Sequence, residues 1–193
     1  MPILICSAVE SEISLLKSEL KSDVLFCETG VGLIESAIRL TSFLESNPVE
    51  QIIFTGTVGA YNKDQFRIND VVQAERSSLI APLSLMMKGY MPELMASEIT
   101  LKSNSNLPGV SVATVLEITS DDDLKDLILE GYSVDVEHME LFSIASCAAH
   151  YKLDITAILS VSNYVGPDAH SEWVKHNKTA SQAAQQHIVQ SFN

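Results

Sequence analysis

Short apolar runs alternate with amphipathic stretches along this chain, and most of the runs stop at a small or polar residue. The opening run, PILICSA, is rich in branched residues and predicts a fully buried strand. Ile13, Leu15, Leu16 and Leu20 then predict a helix over residues 10–20, with Ser7 and Glu10 at capping-box spacing. DVLFCET predicts a second strand that feeds a glycine turn at Gly30 and Gly32. Ile34, Ala37, Ile38 and Leu44 beyond it fall on one face of a long helix. QIIFTGT predicts a third strand, closing at Gly56 and Gly59, and DVVQAE a fourth.

Between residues 78 and 108 the pattern fades into Pro82, Pro92, Pro108, four methionines and the polar tract SNSN. This predicts irregular chain with at most a short helix. Regularity returns with SVATVLE as a strand, residues 121–129 as a short helix capped by Ser120, and YSVDVE as another strand. Residues 139–151 carry Leu141, Ile144, Ala145, Ala148 and Ala149 at helical spacing, DITAILSVS follows as a strand, and residues 170–190 predict a closing helix. Strands alternating with helices predict an α/β fold around a mostly parallel or mixed sheet.

Charge narrows the range of partners. Twelve Lys and Arg against 25 Asp and Glu leave a net charge of −13, which repels nucleic-acid phosphates and anionic membrane surfaces. No apolar stretch approaches the roughly 20 residues of a membrane span, and no basic leader precedes the first strand, so a cytoplasmic protein is expected. Cys6, Cys27 and Cys147 each sit in an apolar run, where a thiol packs as a small hydrophobe.

In α/β sheets, ligands bind beyond the carboxyl ends of the strands. Glu10 and Glu12, residues 29–32, residues 55–59, residues 137–140, and Ser162 with Asn163 all stand at such ends. Neither glycine turn completes a dinucleotide or P-loop fingerprint. The five histidines, His138, His150, His170, His176 and His187, lack metal-ligand spacing, and no G-x-S-x-G elbow is present. Neither a cofactor nor a metal is expected. Glu12 and Glu140 remain, and on periodicity alone each reads first as a helix-start carboxylate, with a site residue as the alternative.

Several segments resemble the nucleoside phosphorylase and nucleosidase family in order and spacing. ICSAVESEISLLKSEL resembles an opening strand followed by A-x-E-x-E, and TGVGLIESA a G-I-G-K-x-x-A segment. IIFTGTVGAY resembles a strand ending in T-G-S-A-G-G, and NDVV resembles G-D-I-V. VEHMELFSIA is similar to V-E-M-E-x-x-A-I-A, with His138 where that motif has its first glutamate. The resemblance implies one domain over residues 1–193, a three-layer α/β/α sandwich around a central mixed sheet, and a homodimer.

For the site, the resemblance implies a purine nucleoside substrate. Glu12 would activate water, Glu140 would bind the ribose hydroxyls, and Met139 would pack beneath the sugar. Thr57 would replace the motif's serine, while Val31 and Gly32 would let backbone approach the ribose. Adenine-specific members carry aspartate where this chain has Asn163, and an amide suits a 6-oxopurine. SNYV with Trp173 resembles futalosine hydrolase, which implies hydrolysis of futalosine to hypoxanthine in menaquinone biosynthesis. A cation for that substrate's carboxylate would come from His170 or Lys175. The alternatives are a methylthioadenosine, S-adenosylhomocysteine or aminodeoxyfutalosine nucleosidase, a purine nucleoside phosphorylase, and a non-catalytic nucleoside binder.

Overall fold

A computed structural model describes residues 1–20, 24–93, 95–103 and 106–192. Asp23, at the start of the expected second strand, and Asn104 and Ser105 of the polar tract lie outside them. The strands are β1 (Ile3–Ser7), β2 (Val24–Glu28), β3 (Gln51–Ala60), β4 (Val71–Leu79), β5 (Glu98–Thr100), β6 (Gly109–Thr114), β7 (Val136–His138) and β8 (Asp154–Tyr164). The helices are α1 (Ser14–Glu19), α2 (Leu33–Ser46), α3 (Pro82–Leu85), α4 (Asp122–Gly131), α5 (Leu141–His150) and α6 (Ala169–Ser191).

The fold class is the expected one, α/β around a mixed sheet. β2, β1, β3 and β8 run parallel, β4 pairs antiparallel with β8, and β6 runs parallel to β4. β7 is parallel to β6 and antiparallel to the last residues of β3. The path from β3 through β8, β4, β6 and β7 therefore returns to β3, and the sheet closes on itself.

Alternation along the strands feeds a core on each side. Leu4, Cys6, Ile52, Phe54, Ala157 and Leu159 pack with Leu40, Leu44, Ile144 and Ala148 of α2 and α5. Ile5, Ile53 and Ile158 point the other way, toward Leu16, Ala184 and Ile188 of α1 and α6. The three cysteines are free and buried, as expected.

Several local expectations are corrected. The first helix is split: a single 3-10 turn (Glu10–Glu12) precedes α1. Ser7 makes no capping box there, because its hydroxyl donates to the Val9 carbonyl at 2.8 Å. α4 is capped by Asp121, which accepts from the Leu124 amide, and not by Ser120. In α2 the buried stripe is Ser36, Leu40 and Leu44, whereas Ile34 and Ile38 are 75% and 57% exposed. The serine of that stripe lets α2 lie close to α5. Ser36 Oγ meets Ser143 Oγ at 2.9 Å, and Ser143 Oγ donates to the Leu33 carbonyl at 2.6 Å.

β3 does not end at its glycines but runs through them to Ala60. β8 accompanies it along one edge from Gln51 to Ala60. On the other edge β1 pairs only with Gln51 to Phe54, and β7 only with Gly59 and Ala60. Among the described residues, no strand pairs with residues 55–58 on that edge, and this gap is where the site is built. Among the described residues, no helix is long and apolar enough to cross a membrane.

Candidate active site

A cavity of about 940 Å³ opens at the gap in β3, walled by the turn after β1, the ends of β7 and β8, and α6. Glu12 enters it from the 3-10 turn, which α6 holds in place through the buried amide of Gln185. That side chain accepts from the Leu15 amide at 2.9 Å and donates to the Ser11 carbonyl at 3.1 Å. Reaching into the gap, Glu12 Oε1 accepts from the Thr57 amide at 3.1 Å and from the Thr57 hydroxyl at 3.2 Å. The same hydroxyl accepts from Trp173 Nε1 at 3.3 Å. Glu12 Oε2 is buried and has no hydrogen-bond partner among the described residues.

Burial, and after it the charge of Glu140, raises the Glu12 pKa from 4.5 to about 7, with the Thr57 bonds opposing the shift. A helix start would have favoured the charged form. Glu12 does stand in the first turn of a short helix, where the Val9 backbone favours the charged form, but burial outweighs that and the carboxyl also caps an open strand edge at Thr57.

Glu140 reaches the cavity from the N-cap of α5 and is 4% exposed. Its Oε1 accepts from the Gly32 amide at 2.7 Å. Gly32 has φ of 86°, a left-handed conformation that glycine adopts without strain, although a Cβ there would meet nothing within 4 Å. Conformation rather than space is therefore what the chain itself requires of this glycine.

Asn163 lies within β8 and does not sit in a turn after it. Val58 pairs with Val161, but Gly59 pairs with Asn163, so Ser162 is the extra residue of a β-bulge. The bulge turns Asn163 toward Gly59, where an added Cβ would lie 2.8 Å from Asn163 Nδ2. Ser162 Oγ lies 2.8 Å from Asn163 Oδ1 and donates to it. Asn163 Nδ2 keeps only a long contact of 3.4 Å to the Tyr164 carbonyl.

The structure thus brings Glu12, Asn163, Val31, Thr57, Met139, Glu140 and Trp173 to one cavity. Gly32 stands just behind it, holding Glu140. Trp173 is 41% exposed and stacks on His170, with ring centroids 6.1 Å apart. Of the two cations suggested for a substrate carboxylate, His170 lines the cavity and Lys175 does not; Lys178, one helical turn further on, does.

Two further members of the 137–140 stretch, to which the sequence assigned no role, also reach the cavity. Glu137 accepts from the Thr119 amide and from the Tyr61 hydroxyl, each at 3.0 Å, which ties the chain after β6 to the cavity wall. Burial pushes the Glu137 pKa up, and those two partners oppose it. His138 also lines the cavity, 6% exposed. Such contacts join distant segments, and no local sequence pattern carries them.

Comparison with known proteins agrees with this architecture. A DeoD-type purine nucleoside phosphorylase of Brevibacillus brevis is 26% identical over 149 residues, 71% of this chain. The chain spans 62% of the length of that curated relative. The 5′-methylthioadenosine/S-adenosylhomocysteine nucleosidase of Neisseria meningitidis superposes with a TM-score of 0.84 at 14% identity, over 97% of this chain and 96% of that one. The futalosine hydrolase of Helicobacter pylori gives 0.85 at 16% identity, over 97% and 95%. At such identities the likeness is one of fold. The sequence pattern of one family matches residues 7–192, nearly the whole chain, and on that match the protein belongs to the phosphorylase superfamily.

Proposed function

We propose that this chain hydrolyses the N-ribosidic bond of a purine nucleoside, with a 6-oxopurine as the leaving base and futalosine as the favoured substrate. The observation that carries the reading is Glu12: a buried carboxyl in a cavity with room for a nucleoside, one oxygen without a partner among the described residues, its pKa near neutrality at about 7. A group so tuned suits a general base for water. Glu140, across the cavity, offers acceptor oxygens to the ribose 2′- and 3′-hydroxyls. Its negative charge favours the cationic, oxocarbenium-like sugar that forms as the bond breaks.

The same electrostatics argue against phosphate as the nucleophile. Glu12, Glu137 and Glu140 all line the cavity, and none of Arg39, Arg67 and Arg76 does. Arg39 is paired with Glu35, and Arg76 with Glu98. The DeoD-type relative keeps phosphorolysis as the second reading.

Asn163 supports the choice of base. With one lone pair of Oδ1 taken by the Ser162 hydroxyl, Asn163 still offers its Nδ2 donor to a base. N7 and O6 of hypoxanthine are both acceptors, whereas adenine sets an amino donor beside N7. Inosine, futalosine, methylthioadenosine and aminodeoxyfutalosine, each with and without phosphate, test the reading together. Release of hypoxanthine from futalosine at a rate independent of phosphate is the expected result; release only with phosphate, or only of adenine, would overturn it.

A further inference from the structure

His138 has a separate use for each of its ring nitrogens. Nδ1 accepts from the backbone amides of Glu140 at 3.0 Å and Leu141 at 3.2 Å, capping α5 where the N-cap side chain itself does not. A nitrogen that accepts carries no proton, so the ring hydrogen sits on Nε2. Burial lowers the imidazole pKa and keeps this neutral form. The 3.1 Å approach of Nδ1 to Glu140 Oε2 is therefore not an ion pair.

Nε2 points at Gly56, in the gap of β3. A Cβ added to Gly56 would lie 3.2 Å from His138 Nε2, and 3.5 and 3.6 Å from the two carboxyl oxygens of Glu12. The ring N–H and the carboxyl thus converge over the same bare stretch of backbone. Both residues line the cavity, and Glu12 Oε2 has no partner among the described residues. The bonds to Nδ1 and the edge-on packing of the ring against Phe54, with centroids 5.3 Å apart, hold Nε2 toward this gap.

We infer that His138 is a second nucleophile-binding residue, holding the attacking water together with Glu12; the inference rests on the hydrolase reading above. The water accepts the Nε2–H on one lone pair, directs one proton at Glu12 Oε2, and presents its other lone pair to C1′. In the step, the oxygen–C1′ bond forms and the bond from C1′ to the purine nitrogen breaks, its electron pair leaving with the base. The water's proton passes to Glu12, and His138 keeps its own. Fixing the lone pair in this way is a positioning contribution to catalysis.

His138→Asn separates the two uses, because its amide oxygen can still cap α5 while the Nε2–H is lost. The expected result is a melting temperature within about 3 °C of wild type and a kcat about 10- to 100-fold lower with KM little changed. In water–methanol mixtures the variant should also give a larger share of methyl riboside, because water is no longer selected. A kcat within twofold of wild type, or an effect on KM alone, would overturn the inference while leaving the hydrolase reading intact. Absence of base release by the wild-type chain across the nucleoside panel would overturn both. If His138→Asn is unstable, His138→Gln keeps an N–H near the Nε2 position: turnover above that of His138→Ala supports the role, and equal turnover of the two rejects it.

Discussion

The two carboxylates that line the cavity come from different elements, although each rests one oxygen on a backbone amide. Glu12 comes from a short turn, spans a gap in a strand edge, and leaves one buried oxygen without a partner among the described residues. Glu140 stands at a helix N-terminus, and a backbone amide holds one of its oxygens at 2.7 Å. Chemically the side chains are the same. The difference is that burial, and after it the Glu140 carboxylate, raises the Glu12 pKa to about 7, which poises Glu12 to exchange a proton. Two roles from one residue type follow from the wall that each is built into.

The strongest way to break this contrast is Glu12→Gln, expected to lower kcat by about 10³-fold. It has a second signature in stability. Glu12 titrates at about 7 in the folded chain and near its ordinary 4.5 when unfolded, so the wild type loses stability as pH rises from 4.5 to 7. Gln removes that loss, so its stabilising effect should be about 2 kcal/mol larger at pH 8 than at pH 5, read by denaturant unfolding. A gain that is the same at both pH values would mean that Glu12 is not perturbed.

Two milder variants should move the same titration in opposite directions. The wild-type kcat/KM is expected to fall as pH drops below about 7, where Glu12 takes up its proton. Glu140→Gln keeps an acceptor for the Gly32 amide but removes the charge. It should shift this acid limb to lower pH and reduce kcat/KM about 100-fold. Thr57→Val removes a hydroxyl that favours the ionised form of Glu12. It should shift the limb upward and reduce kcat/KM about 3- to 10-fold. Shifts of the same sign in both variants would refute the opposed walls.

Residues set beside strand ends were legible in the sequence. Glu12, Glu140 and Asn163 follow apolar runs that overlap β1, β7 and β8, and Thr57 closes the run that becomes β3, so their order along the chain already places them near one another, although β7 takes up only Val136 and Glu137 of the strand expected there. Contacts between segments with no shared periodicity were not legible. The face of α2 was misread because Ile34 and Ile38 look like core, while the decisive contact with α5 is made by serines. Gly56 and Gly59 looked like a turn because glycine signals one locally. Here they sit inside a strand whose bare α-carbons admit His138, Glu12 and Asn163. The role of His138 as a cap for α5 was hidden for a related reason: a histidine is not among the usual N-cap residues.

The gap in β3 has one further consequence, for the exchange of amide hydrogens with solvent. Most central-strand amides are protected by the neighbouring strand, and their exchange reports the opening of the sheet. The Thr57 amide is protected by a side-chain carboxyl instead, at 3.1 Å. Its exchange with deuterium and its chemical shift should therefore follow the protonation of Glu12, through the same pH range as the acid limb, while the amides of β3 paired with β8 stay unchanged. That single backbone proton is an indicator of the carboxyl's charge within the sheet itself, readable without substrate.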